Sequence, residues 1–188
     1  MSSYYTKEEL KELGLASIGD NVSISKKASI YGANKIKIGN NVRIDDFCIL
    51  SGNITIGNYV HISAYTALYG GGTIEIGDYC GCSPRCTLFS ATDDFSGEYM
   101  ISPMVPEELT NVIKGPIKMC DYSQLGANSI VLPNVTLHEG AATGSFSFVN
   151  KSLDEWTINV GIPVKTIKPR EKNIKQLVKR IGENNGEV

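Results

Sequence analysis

Basic charge is scarce in this sequence: 18 Lys and Arg stand against 20 Asp and Glu, a net charge of −2 at pH 7. Nothing in it resembles the cationic field that a phosphate backbone requires, so nucleic acid is not the expected partner. Long apolar runs are missing too. No stretch approaches the roughly 18 uninterrupted apolar residues that span a bilayer, and the opening MSSYYTKEELKELG lacks the apolar centre of a leader peptide. A soluble, cytoplasmic protein without a membrane partner is expected. Cysteine occurs five times, at Cys48, Cys80, Cys82, Cys86 and Cys120. An odd number does not form the even framework of a small secreted domain, and a reducing compartment fits it better. The short spacing of Cys80, Cys82 and Cys86 admits a zinc reading. The periodicity described next accounts for all three as small core residues, so no metal is expected. What remains is 188 residues with 41% apolar content, enough for one domain with a real core.

That apolar content is periodic. Ile18, Ile24 and Ile30 recur at every sixth position, as do Ile38, Ile44, Leu50, Ile56, Ile62 and Leu68, then Ile76, Cys82 and Leu88. After a gap the series resumes at Met119, Leu125, Val131, Leu137, Thr143 and Val149. Four residues behind each runs a track of smaller residues, including Val42, Cys48, Val60, Thr66, Cys80, Cys86, Ser123, Ser129, Ala141 and Ser147. Neither an α-helix nor a simple alternating strand has this period. It follows if each hexad is a short strand plus a corner and three hexads close a triangular rung, so that residues about 18 apart stack and small aliphatic side chains fill a narrow lumen.

Gly19, Gly39, Gly57 and Gly77 follow the apolar position, as do Gly126 and Gly144, and are read as easing the tight backbone of a corner. Two-residue insertions in KIKIGN (35–40) and TIEIGD (73–78) restore the register, which places Cys48, Thr66 and Cys86 in one column. Outside the repeat, Thr6-x-x-Glu9 predicts a capping box opening a short helix that closes the first rung, with Leu10 and Leu13 on one face and Gly14 ending it. Ile174, Leu177, Val178 and Ile181 fall at helical spacing and predict a C-terminal amphipathic helix, fraying from 182 to 188.

The hexads IGNNVRI (38–44), IGNYVHI (56–62), IGDYCGC (76–82) and LGANSIV (125–131) resemble the hexapeptide-repeat acyltransferase family, and the resemblance covers about residues 18 to 168. It implies an all-β fold, a left-handed parallel β-helix with short N- and C-terminal helices and one long extruded loop. The hand comes from the resemblance alone, since crossovers are ordinarily right-handed. The expected division is a helical cap at 1–17, the β-helix at 18–168 with its loop at 92–116, and a C-terminal helix and tail at 169–188.

Between Leu88 and Met119 the repeat is suspended. The segment FSATDDFSGEYMISPMVPEELTNVIKGPI is too long and too apolar for idle linker and is the expected place of function. In the family such a loop reaches a neighbouring subunit of a homotrimer, helps form the acceptor pocket and often carries a histidine base. Here it has no histidine, and the matching stretch is Thr92-Asp93-Asp94. A hydroxyl acceptor needs a base, whereas a neutral amine is already nucleophilic and needs only a carboxylate to orient it and stabilise the developing ammonium. The bland alternative is a solvated turn of Asp93 and Asp94 with Ser96 and Gly97.

The run S-x-x-D-D-F-S-G-E-Y (90–99), with RIDDFCILSG (43–52), Ser83-x-Arg85 and VNKSLDEW (149–156), is similar to a narrower group, the N-acyltransferases of dTDP-4-amino-4,6-dideoxyglucose. That resemblance implies Asp94 and Glu98 as catalytic residues near the sugar amine, with Asp93, Arg85, His61 and Tyr99 binding substrate. Arg85 would contact the nucleotide-linked sugar or pair with a loop carboxylate, while His138 is expected on a surface corner. Family members bind CoA between subunits along the later rungs, which implies Gly126, Ala127, Ala142 and Gly144 as a wall for the pantetheine arm and one backbone N–H for the oxyanion. Gly161-Ile162-Pro163, with Lys165, Lys168 and Arg170, resembles the family's terminal segment, its basic residues suited to CoA phosphates. The expected activity is direct acyl transfer from acyl-CoA, a co-substrate and not a resident cofactor, to a nucleotide-linked amino sugar. The alternatives are O-acetylation of a galactoside or polysaccharide sugar, a γ-type carbonic anhydrase, for which two histidines fall short of the three zinc ligands, and a non-catalytic scaffold.

Overall fold

In a computed structural model that describes residues 3–184, the six-residue period becomes short strands separated by corners, stacked as a parallel solenoid. One wall is an eight-stranded sheet. Ser23–Ile24, Arg43–Ile44, His61–Ile62, Gly81–Cys82, Gln124–Leu125, Ala142–Thr143 and Thr157–Val160 are parallel neighbours, and Lys165–Pro169 closes the sheet antiparallel. The other two walls share a ten-stranded sheet, because Ile49–Ile56 and Ala67–Ile76 run round a corner unbroken.

The lumen is filled as the periodicity requires. Ile24, Ile44, Ile62, Cys82 and Leu125 are all fully buried in one column, and so are Cys48, Thr66 and Cys86 in the neighbouring track. Only the first rung is less covered, with Ile18 and Ile30 half-buried. The helix α1 (Lys7–Glu12) closes it by burying Leu10, and its capping box forms as expected: Glu9 N–H donates to Thr6 Oγ1 at 3.2 Å and Thr6 N–H to Glu9 Oε2 at 2.8 Å.

Neighbours along the first wall from Ser23 to Ala142 are separated by 20, 18, 20, 43 and 18 residues. The first two-residue excess is taken up by the 3-10 turn Ala33–Lys35, slightly ahead of the expected hexad, and the second lies at 71–73. The 43-residue step exceeds a regular rung by 25 residues, the length of 92–116. The large loop is therefore an insertion at one corner that leaves the stacking above and below it intact.

The glycines following the apolar track do a different job from the one expected. Gly39, Gly57 and Gly126 have no positive φ; instead a Cβ on each would lie 2.4–2.8 Å from backbone atoms of the glycine one rung along. They permit close stacking of rungs. The left-handed corner conformation falls two residues later and is adopted by Asn21, Asn41, Tyr59, Tyr79, Asn128 and Phe146, with φ between 53° and 59°. Asparagine tolerates that region for local hydrogen-bonding reasons. The aromatic residues there stack rung on rung, Tyr59 on Tyr79 at 4.9 Å and Tyr79 on Tyr122 at 5.5 Å between ring centroids.

That aromatic column docks the C-terminus. Trp156 extends the stack from Tyr122 across Gly140, and Lys175 of the helix α2 (Ile174–Asn184) lies over Trp156 at 5.2 Å while pairing with Glu139 at 2.6 Å. The helix continues through Asn184, past the expected onset of fraying; that expectation for 185–188 lies outside the described residues.

Candidate active site

The outer face of the first wall is a grid of two columns. Ser23, Arg43, His61, Gly81, Gln124 and Ala142 are stacked in one, and Ser25, Asp45, Ser63 and Ser83 follow in the next. Its lower part is charged. Asp45 accepts from Arg43 Nε at 2.7 Å and lies 2.7 Å from His61 Nε2, with the Tyr4 hydroxyl donating at 3.3 Å. Burial works to raise the Asp45 carboxyl, but the hydrogen bonds of Arg43 and His61 outweigh it and hold the group below the usual carboxylate range. One rung above His61 the wall opens, because, its two chain neighbours apart, no residue comes within 4 Å of where a Cβ on Gly81 would be. Ser83, next along that strand, is half-buried beside this gap.

The extruded loop is tied at its root by the antiparallel pair Ala91–Thr92 and Ile113–Lys114. Asp94 organises its start: Oδ1 accepts from Ser96 N–H at 2.6 Å and Oδ2 from Asn111 Nδ2 at 2.8 Å. These bonds, from Ser96 first, lower its pKa. The turn with Ser96 and Gly97 is therefore present. Glu98 donates its own N–H to Ser96 Oγ at 3.1 Å, and Tyr99 is partly exposed. Asp93 lines a concavity within the loop together with Ser102, Pro103, Val105 and Glu107. The structure thus gathers Asp93, Asp94, Glu98 and Tyr99 on the loop, apart from His61 on the wall and Arg85 at a corner. Arg85 forms no ion pair with a loop carboxylate among the described residues; its guanidinium stacks over Tyr65, 5.5 Å from the ring centroid.

The later rungs are more closed than the sequence implies. Ala142 is buried between Gln124 and Ile158, while Gly126, Ala127 and Gly144 are half-buried. Gly126 N–H donates to Thr143 Oγ1 at 3.0 Å and Gly144 N–H to Asn159 O at 2.8 Å, so neither is the spare donor an oxyanion needs. Gly161 has φ 101° and precedes a cis Ile162–Pro163 bond, and Lys165 and Lys168 are exposed on the strand that follows. Arg170 departs from expectation. Its Nη1 donates to the carbonyls of Tyr122 at 2.7 Å and Gly140 at 3.0 Å, which commits it to holding the C-terminal segment and not to a phosphate. His138 sits exposed at a corner, as expected.

Comparison with known proteins gives this geometry a context. The bacterial transferase hexapeptide family (six repeats) matches residues 35–70. An Escherichia coli dTDP-4-amino-4,6-dideoxy-D-glucose acyltransferase is 46% identical over 178 residues, 93% of either chain. The chain belongs to the hexapeptide-repeat N-acyltransferases. AntD, an N-acyltransferase from Bacillus cereus, crystallised with dTDP and 3-hydroxybutyryl-CoA, superposes with a TM-score of 0.96 at 49% identity, covering 100% of both chains. A serine variant of AntD holds dTDP-4-amino-4,6-dideoxyglucose and coenzyme A (TM-score 0.95, 50% identity, 98% of this chain and 99% of the other). The residues altered across the AntD structures are a serine and an aspartate ten residues apart.

Within this N-acyltransferase chain, two features escaped the sequence reading. Arg43 and His61 are one rung apart and Asp45 is two residues from Arg43, a spacing visible once the 18-residue register is applied to the outward positions. Ser83 was noted only as part of a run, because a lone serine among many carries no signal of its own.

Proposed function

We propose that this N-acyltransferase moves an acyl group from acyl-CoA to the C-4 amine of dTDP-4-amino-4,6-dideoxyglucose. The single observation that carries the reading is full-length similarity, at 46–50% identity, to enzymes of that substrate. The chemistry of the chain supports direct attack. Burial raises the thiols of Cys48, Cys80 and Cys86 to about 11 and also raises those of Cys82 and Cys120, which disfavours a cysteine thiolate and with it a covalent intermediate. The neutral amine adds to the thioester carbonyl, the nitrogen gives up a proton to solvent, and the C–S bond of the tetrahedral intermediate breaks so that CoA leaves as thiolate.

In this reading Ser83 and Asp93 face the amine. Like the altered pair in AntD, they stand ten residues apart, whereas the residue ten before Asp94 is Pro84. Asp94, bonded to Ser96 and Asn111, holds the loop in shape, with Glu98 and Tyr99 beside it; His61 borders the acceptor at the Gly81 gap. A carboxylate there orients the amine and stabilises the developing ammonium, and needs no proton-abstracting strength. Gly126, Ala127, Ala142, Gly144, Gly161, Lys165 and Lys168 flank the CoA path. The assembly is a homotrimer with its sites between subunits, the loop of one chain reaching the next. Placement in the cytoplasm follows from two phosphorylated substrates that do not cross membranes, and among the described residues no helix is long and apolar enough to do so.

The test is CoA release from acetyl-CoA and 3-hydroxybutyryl-CoA, offered the dTDP-amino sugar or a plain galactoside. Turnover with the amino sugar alone is expected, and turnover with the galactoside alone would replace the reading with O-acetylation. Asp93→Asn is expected to lower kcat by about a hundredfold or more, the scale of a lost transition-state contact, and Asp94→Asn by about tenfold or less.

A further inference from the structure

At the corner that follows the first wall, one side chain per rung forms a second stacked column. Lys27 Nζ lies 5.3 Å from the ring centroid of Phe47, the rings of Phe47 and Tyr65 stack at 5.0 Å with 22° between their planes, and the Arg85 guanidinium covers the far face of Tyr65 at 5.5 Å. Phe47, Tyr65 and Arg85 all hold φ between 60° and 63°, a region that disfavours bulky side chains, so the corner fixes where each one points. The column of Tyr59, Tyr79, Tyr122 and Trp156 is built alike, and of the two lysines over Trp156, Lys172 forms no ion pair among the described residues while Lys175 is neutralised by Glu139. Lys27 is likewise neutralised, by Asp46 at 2.8 Å. Among the described residues the Arg85 guanidinium has the ring beneath it and neither a counter-charge nor a hydrogen-bonding partner, whereas the guanidinium groups of Arg43 and Arg170 are both engaged.

A guanidinium held over an aromatic ring with its side-chain N–H groups unspent is available to a bidentate oxyanion. We infer that Arg85 binds the diphosphate of the nucleotide sugar, and that Tyr65, seated on Phe47, is its positioning residue. The inference rests on the acyl-transfer reading above and adds to it the group that holds the nucleotide end of the acceptor. Arg85 stands two residues beyond Ser83, which places its charge at the edge of the wall where the acceptor amine is turned over. CoA carries a diphosphate of the same chemistry, but Lys165 and Lys168 supply cations on the last strand of the first wall, four strands beyond Gly81–Cys82.

The experiment measures binding of dTDP and of CoA separately by calorimetry, with steady-state kinetics on the dTDP-amino sugar. Arg85→Ala is expected to weaken dTDP by about tenfold or more, the worth of a charge-assisted bidentate contact, and to leave CoA within about twofold. Arg85→Lys restores only part of the affinity, since an ammonium neither stacks nor forks. Tyr65→Leu raises KM for the nucleotide sugar several-fold with kcat nearly unchanged, and Tyr65→Phe behaves as wild type. Unchanged dTDP affinity in Arg85→Ala, a shift confined to CoA, or equal losses in Tyr65→Phe and Tyr65→Leu would each overturn the assignment. Because binding is read without turnover, a wild type that binds dTDP but acylates another acceptor sinks the acceptor reading and leaves the Arg85 assignment to be judged on its own.

Discussion

At the scale of single residues, a glycine's cost of replacement depends on which of two constraints it meets. Gly140 meets both: its φ is 68°, and a Cβ would lie 2.5 Å from the Trp156 ring that docks the C-terminal segment. Gly140→Ala is expected to destabilise by roughly 2–4 kcal/mol, combining left-handed strain with overpacking, and denaturant unfolding measures it. Gly81 meets neither, so Gly81→Ala should leave stability unchanged or raise it by up to about 1 kcal/mol. Its methyl would stand in the gap above His61, and an increased KM for the acceptor without loss of stability would separate a functional gap from a packing defect. Asp45 adds a pH dependence. Its folded pKa is lowered, so its contribution is complete above the ordinary carboxylate value near 4 and is lost as pH falls through the folded value. Asp45→Asn should cost about 1 kcal/mol at pH 7, with the difference from wild type narrowing between pH 5 and 2; a pH-independent difference would mean that shape, not charge, matters there.

At the scale of elements, what was legible depended on whether a feature is repeated. The lumen columns recur in every rung, so Ile44, Ile62 and Cys82 could be placed from spacing alone, and the three clustered cysteines were recognisable as core residues. The loop was legible because it interrupts that recurrence. Corner conformation was not, since the left-handed position is filled by asparagine, tyrosine, phenylalanine or arginine according to what stacks above and below, and a single hexad shows only one of them. Hydrogen bonds between elements were equally hidden. Arg170 lies 48 residues from Tyr122 and 30 from Gly140, and nothing in a basic C-terminal stretch distinguishes an arginine that clamps carbonyls from one that awaits a phosphate. The winding hand came only from the family resemblance, because period six fits either sense.

At the scale of the whole molecule, a single chain leaves much apolar surface uncovered. Phe95 and Met104 of the loop are 87% and 89% exposed, and Phe47, Tyr65 and Phe146 line one corner with about half or more of their surface in solvent. Apolar surface on this scale marks an interface, and a net charge of −2 opposes association only weakly. A loop that is internally tied by Asp94 and Asn111 yet presents its largest apolar side chains outward is shaped to meet another surface. The wild type is therefore expected to sediment at three times its 20.4 kDa chain mass at micromolar concentration. Replacing Phe95 and Met104 together by serine should weaken that association and acyl transfer in parallel, while the thermal unfolding of the separated chain stays close to wild type, because neither side chain enters its core. A wild-type monomer that transfers acyl groups at full rate would defeat the shared site, since one chain would then hold wall, corner and loop close enough to act alone.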